Sequence, residues 1–421
     1  MKISIDPVIA GRIKAAWNKL SSDQRGQLAP LVLEANQQAV TVTQTGKAPA
    51  DPAVAHHLVL AHSVLNNDSD GVAASLESGV VIVVGPDGVI WGTGKYQQFD
   101  PGWTEALAVY LETLALGGKH PFMASPQVIP MPDEVQIGLV GDWGTGDWRP
   151  ALNPAPSTDV GNHLRFLQPD LTIHLGDVYY AGTSDQEQHL LVNIWPKGSL
   201  GSLALSSNHE MYSGAKPYFD AITNPESPFA MQKGCSYFAL ENTNWVVVGL
   251  DSAYFSPDSN LYMDGALGPA EGTQVQFLQR QVAKGKRVIV LTHHNGLTQD
   301  GLSTTGLWEE VMSGFPAGTG PAYWYWGHAH AGVAYQPKPP REGEPASILC
   351  RCSGHGALPW GHATELDNNP NVVWYENRLA RDPDIPQRVL NGFAMLYLDG
   401  GNIEEVFYDE NGGEAWDSQG A

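Results

Sequence analysis

The chain has 421 residues, 42% hydrophobic, with 46 glycines and 30 prolines: enough for one large α/β domain with long ordered loops and a smaller appendage. A formal net charge of −22 argues against nucleic acid and anionic membrane surfaces, which need lysine and arginine in quantity. The three cysteines, Cys235, Cys350 and Cys352, are too few for a disulfide framework. Cys350 and Cys352 would face one side of a strand as small buried residues. Residues 1–30 carry Lys2, Arg12, Lys14 and Lys19 without the apolar core of a signal peptide, and no run approaches a membrane span. The expectation is a soluble, cytoplasmic protein.

In chain order, residues 8–39 read as helical, with Val8, Ile9, Ile13, Ala16 and Trp17 as a stripe and Leu28, Leu31, Leu33 and Ala35 in a second segment. Ala53–Leu65 reads as another helix; His56, His57 and His62 along it are expected to be solvated, since His57 and His62 do not share a face. Two β-rich runs around Pro86-Asp87-Gly88 predict a hairpin over 79–92, and Thr104–Leu116 predicts a helix. These make a small α+β region, 1–130, read as a packing appendage, and the proline-broken stretch 119–132 reads as a linker. Residues 131–421 form the second unit. There, strands at 135–140, 171–175, 202–206, 287–292 and 322–326 alternate with helices, which predicts mostly parallel pairing under helical cover. Segments 236–240 and 245–250 read as a strand pair; 346–352, 392–398 and 402–408 read as closing strands of a second sheet.

Five of these strands end in chemistry. Val135–Val140 runs into Gly141-Asp142-Trp143-Gly144, and Leu171–Leu175 into Gly176-Asp177-Val178-Tyr179-Tyr180. Leu203–Leu205 runs into Asn208-His209-Glu210, Arg287–Thr292 into His293-His294-Asn295, and Tyr323–Trp326 into Gly327-His328-Ala329-His330. Carboxylate, imidazole and amide oxygen are ligands for zinc, manganese and iron, and strand carboxyl ends are where α/β sheets place ligands. His174, inside its strand, reads as a core histidine.

This ordered set resembles the calcineurin-like metallophosphoesterases, and within them the purple acid phosphatases, whose motifs read GDxG, GDxxY, GNHE, VxxH and GHxH. Gly144 stands where most of the superfamily has histidine, and Tyr180 matches the tyrosine that most of it lacks; Ser207, where the family usually has glycine, is a departure. The resemblance covers roughly residues 133–410 and says nothing of the first ~130. It implies a four-layer αββα sandwich and two metal ions (iron with zinc, iron or manganese) bridged by Asp177. Asp142, Tyr180 and His330 would complete one site, and Asn208, His293 and His328 the other.

The implied activity is hydrolysis of a small phosphorylated substrate, a phosphate monoester, by attack of a metal-bound hydroxide. His209 would then protonate the leaving oxygen, Glu210 would orient His209 or a metal-bound water, and His294 would contact substrate or support the site. His355 is a candidate for the pocket rim, and Asp251 stands behind the site at most. A phosphodiesterase or nucleotidase on the same scaffold is the alternative reading, and a catalytically silent binding module a third. Oligomeric state is left open.

Overall fold

The computed structural model describes residues 3–49, 55–66, 72, 76, 82–150 and 153–419. Two large sheets dominate. One has six strands in the order β16-β15-β14-β4-β5-β6, the other eight in the order β13-β11-β12-β10-β9-β8-β7-β3. The six-stranded sheet comprises β4 (Glu134–Val140), β5 (Leu171–His174), β6 (Gly201–Ala204), β14 (Gly392–Asp399), β15 (Asn402–Asp409) and β16 (Glu414–Asp417). The other comprises β3 (Gln127–Pro130), β7 (Phe238–Glu241), β8 (Trp245–Gly249), β9 (Arg287–Leu291), β10 (Tyr323–Trp326), β11 (Gly332–Tyr335), β12 (Leu349–Ser353) and β13 (Val372–Tyr375).

The strands read as near-continuous apolar runs because both faces of each sheet are covered. Val135, Ile137 and Leu139 of β4 meet Ile289 and Leu291 of β9 and Tyr323 and Tyr325 of β10 between the sheets. The alternate residues Val288, Val290, Trp324 and Trp326 face outward onto helices Thr273–Val282 and Gly306–Met312. Cys350 and Cys352 point the same way, buried and unpaired. Helix Pro156–Leu167 covers the six-stranded sheet through Val160 and Leu164. The layers are therefore α, β, β, α, the expected sandwich.

In the six-stranded sheet parallel strands make up one side and antiparallel strands the other; in the eight-stranded sheet a parallel centre is flanked by antiparallel pairs. β4, β5 and β6 run parallel, as do β8, β9, β10 and β12. β14 and β15 form a hairpin whose first strand pairs antiparallel with β4. The three expected closing strands thus divide: β14 and β15 extend the first sheet, while β12 joins β10 in the second. The expected linker contains β3, parallel to β7 at an edge, where Pro130 withholds no hydrogen bond that an inner strand would need. The parallel strands bring the carboxyl ends of β4, β5, β6, β9 and β10 to one rim.

The N-terminal region has helices Pro7–Lys19 and Ser22–Thr45, the second capped by Ser21 and Gln24 reciprocally. The hairpin forms as β1 (Val83–Val84) against β2 (Ile90–Trp91); residues 79–81 lie outside the described residues. The expected helix at 53–65 is a 3₁₀ turn, His56–Leu58, followed by helix Ala61–Asn66, with 53–54 outside the described residues. Helix Trp103–Leu116 packs on Pro7–Lys19, with Arg12 held to Glu112 by Nε–Oε1 at 2.9 Å and Nη2–Oε2 at 2.7 Å. One continuous apolar cluster runs from Ile13, Val32 and Leu107 through Val140, Tyr179 and Tyr212 to Met395, so this region shares an interior with the sandwich.

Candidate metal centre

Each loop at the rim turns sharply as it leaves its strand. Asp142, Asp177, His328 and His330 all sit at positive φ (58°, 80°, 65° and 51°), a region that costs non-glycine residues energy and that clusters at functional sites. Gly176 at φ 106° makes the β5 turn possible; a Cβ there would stand 2.7 Å from Nδ1 of His293. Gly144 is hemmed in too: a Cβ would lie 2.6 Å from the carbonyl oxygen of Asp177, so no histidine fits that position as the loops stand.

The side chains converge in two sets that share Asp177. Around one, Nε2 of His293 lies 2.9 Å from Oδ1 of Asn208, 3.2 Å from Nδ1 of His328 and 3.3 Å from Oδ1 of Asp177. Nδ1 of His293 faces the carbonyl oxygen of Leu175 at 2.9 Å and must carry the proton there. Burial holds this imidazole neutral, with its pKa lowered to about 4. A nitrogen lone pair, an amide oxygen and a carboxylate oxygen therefore face one another. Oδ1 of Asp177 is buried with no hydrogen-bond partner among the described residues. Such a set of acceptors fits a cation.

In the second set, Nε2 of His330 lies 3.3 Å from Oδ1 of Asp142 and 3.7 Å from Oδ2 of Asp177. The hydroxyl of Tyr179 joins them, 2.7 Å from Oδ2 of Asp177 and 3.1 Å from Nε2 of His330. The other oxygen of Asp142 accepts the backbone N–H of His328 at 2.8 Å. Carboxylates and a phenol make this the harder donor set; two imidazoles and an amide make the other softer.

The electrostatics follow from two buried carboxylates in one site. Burial and then the charge of Asp177 raise Asp142 well above the usual carboxylate range. Burial would also raise Asp177, but the surrounding His209, His293 and His330 hold it low. Burial would lower His330, yet hydrogen bonds and charge from Asp142 and Asp177 raise it to about 9. Tyr179 is pushed well above its ordinary value by burial, then by the same carboxylates.

Of the expected site residues, Asp142, Asp177, Asn208, His293, His328 and His330 come together. Tyr180 does not: its hydroxyl donates to Oδ2 of Asp100 at 2.5 Å, while its neighbour Tyr179 turns inward. His209 lies beside the cluster, with Nδ1 donating to the carbonyl of Tyr180 at 2.7 Å and Nε2 3.9 Å from Oδ2 of Asp177. Glu210 is engaged elsewhere than the expectation put it. Its Oε2 accepts the backbone N–H of Ser207 at 3.0 Å and bonds the Ser207 hydroxyl, closing a capping box on the short helix Asn208–Tyr212. Ser207, in the place of the family glycine, is thus the capping residue of that helix.

His294 approaches His293 and His328, but both its nitrogens are occupied: Nε2 by the carbonyl of Tyr262 at 2.8 Å, Nδ1 by the hydroxyl of Ser252 at 2.9 Å. It braces the β9 loop, with both ring nitrogens committed to these neighbours. Asp251 accepts the N–H groups of Ala253 and Tyr254 in a buried turn. His355 packs near Phe407 in the interior and takes no part in the pocket rim, and His174 is buried edge-on to Trp195. Two of the three N-terminal histidines are enclosed: His57 is 2% exposed against Tyr212, and His56 stacks on Trp103 at 4.9 Å, 5.7 Å from the ring of His330, while His62 is partly exposed. Sequence reasoning did not place Tyr179 in a donor set, though it adjoins Tyr180, and gave no sign that His56 stands beside His330.

Comparison with solved structures finds distant likenesses. The anchor GAP50 of the inner membrane complex of Plasmodium is 10% identical, with 68% of this chain and 87% of that one covered, at a TM-score of 0.45. A purple acid phosphatase from yellow lupin (Lupinus luteus) seeds is 13% identical over 70% of this chain and 54% of its own, also at 0.45. A predicted phosphoesterase from Streptococcus pneumoniae is 10% identical over 68% and 97%, at 0.27. No curated protein matches the sequence. Among the described residues no helix is long and apolar enough to cross a membrane. Residues 135–332, which hold every residue of the two donor sets, match the model of the calcineurin-like phosphoesterases, and this part of the chain is a calcineurin-like phosphoesterase domain.

Proposed function

We propose that the protein hydrolyses small phosphate monoesters at a two-ion centre, as the purple acid phosphatases it resembles do. The observation that carries this reading is Asp177: each of its oxygens faces a different donor set. Asp142, His330 and Tyr179 would hold one ion, and Asn208, His293 and His328 the other, with Asp177 shared. The hard set suits a trivalent ion such as iron(III), the softer one zinc, iron(II) or manganese. Bound there, the ions would supply Lewis acidity at phosphorus and a water acidified for attack.

The chain's own residues do the rest. His209 keeps one proton on Nδ1, committed to the carbonyl of Tyr180, so any second proton resides on Nε2, the atom turned toward Asp177. That atom is the donor to the leaving oxygen. His293 is locked in its Nε2 lone-pair tautomer by the carbonyl of Leu175. Gly144, with no room for a side chain, leaves out the histidine that would serve a diester leaving group, which favours monoesters.

The test is steady-state hydrolysis of an aryl phosphate monoester and the matching diester, after reconstitution with iron plus zinc and separately with manganese. Asp177→Asn is the control. Monoester turnover that vanishes in the control supports the reading. Preferential diester turnover would reassign the ester class, and a protein that binds no metal would overturn the centre itself.

A further inference from the structure

A cavity of about 580 Å³ opens over the two donor sets. Its floor is built from Asn208, His209, His328 and His330. The opposite wall comes from the N-terminal region: Leu31, Glu34, His56, Leu58, Val89 and Gln98 line it. Trp360, from the far end of the chain, closes a side against His330 at 4.7 Å between ring centroids. The region that carries no catalytic motif therefore stands where a substrate's alcohol would lie.

His56 is the polar residue of that wall that stands against His330, 5.7 Å between ring centroids. Its ring is fixed by Trp103 beneath, at 4.9 Å and 22°, and by Trp360 edge-on at 5.9 Å. Nδ1 is buried with no hydrogen-bond partner among the described residues. A buried imidazole nitrogen left without a partner is costly unless something else satisfies it. Acidic residues prevail in its lining: Glu34, Asp87, Asp264 and Glu365 line the cavity, and among the described residues no lysine or arginine does. A substrate with a second phosphate or a carboxylate on its alcohol would be set against acidic residues there, Glu34 at the mouth among them.

We infer that the N-terminal region forms the leaving-group half of the reaction pocket, with His56 in contact with the ester, and that the pocket takes monoesters of small neutral or cationic alcohols in preference to nucleotides. This rests on the phosphoesterase reading above and names its substrate class. His56 hydrogen-bonds the substrate; Leu31, Leu58 and Val89 cover the alcohol's carbon; Glu34 at the mouth repels additional anionic groups. Glu34 is exposed on its helix, so changing it tests charge without disturbing the core.

The experiment uses the full, metal-loaded protein with three monoesters: an alkyl phosphate, phosphoethanolamine, and a nucleotide whose alcohol carries a second phosphate, a nucleoside 3′,5′-bisphosphate. Wild type should favour the first two over the nucleotide in kcat/KM by at least about tenfold, and Glu34→Lys should narrow that ratio. His56→Ala should lower kcat/KM for the alkyl phosphate by about tenfold, the scale of one lost hydrogen bond, and His56→Gln by less. A second readout is calorimetric binding of 2-aminoethylphosphonate, which cannot be hydrolysed. It should weaken in His56→Ala with metal content and Tm unchanged. Turnover lost in Asp177→Asn, but with a nucleotide preferred or with both the phosphonate affinity and kcat/KM of His56→Ala at wild-type values, overturns this inference and spares the phosphoesterase reading. No monoester turnover by wild type overturns both.

Discussion

The hydroxyl of Tyr179 stands 2.7 Å from Oδ2 of Asp177. The phenol next in sequence points away, to Asp100. Tyr179→Phe should therefore remove a donor from the shared carboxylate and cut monoester turnover by about tenfold or more. Tyr180→Phe should cost stability, about 1–3 kcal/mol, by stripping the buried Asp100 of a partner, and leave turnover largely intact. With iron loaded, a visible tyrosinate-to-iron(III) band would be abolished by the first substitution and kept by the second. The reverse pattern would return Tyr180 to the centre.

Gly144 approaches the backbone of Asp177 so closely that even a methyl group intrudes. Gly144→Ala should displace the loop bearing the shared carboxylate, costing roughly 1–3 kcal/mol in stability and weakening metal retention. Denaturant unfolding with metal analysis on the same samples checks both. A variant that keeps stability and metal would show that the loop has slack.

Glu187 is 2% exposed, and neither carboxylate oxygen has a hydrogen-bond partner among the described residues. Burial raises its pKa from 4.5 to about 8. A carboxyl group whose pKa is higher folded than unfolded contributes stability that is full below pH 4.5 and lost as pH rises through about 8. Wild type should lose stability across that window relative to Glu187→Gln, at most about 1.4 kcal/mol per pH unit. Melting curves of the pair at pH 5 and pH 8.5 decide it; parallel behaviour would place Glu187 in a wetter setting.

Arg351 of β12 and Glu405 of β15 pair across the two sheets, Nε–Oε2 at 2.8 Å and Nη2–Oε1 at 3.0 Å, with the hydroxyl of Tyr325 also on the carboxylate. The arginine is 4% exposed and the glutamate 0%. Arg351→Met would strand that carboxylate in the interior and should cost about 3–5 kcal/mol. The double variant with Glu405→Leu should recover most of it. Urea midpoints of the two variants separate these outcomes.

The sandwich and its strand ends were legible because the sequence writes both plainly. A strand covered on both faces is an apolar run, and its last residues are free to be chemical. Which of Tyr179 and Tyr180 enters the centre was not legible, since adjacent residues differ only in how the loop turns. β3 was hidden by prolines that an edge strand tolerates. The placement of β14 and β15 beside β4, antiparallel to it, depends on pairings across some 250 residues, which no local pattern encodes. His56 was misjudged for the same reason: its surroundings come from Trp103, His330 and Trp360, all distant in sequence.

The apolar cluster that runs from Ile13 to Met395 has a consequence for inheritance. Recombination between relatives at a junction near residue 131 would bring together two halves of an interior shaped for other partners. Leu107, Tyr110 and Leu111 would have to fit a foreign Tyr179 and Tyr212 at once. Such chimaeras should survive only where both sides had already changed together, so a new pocket wall would enter this lineage by gradual substitution more readily than by exchange of the whole segment.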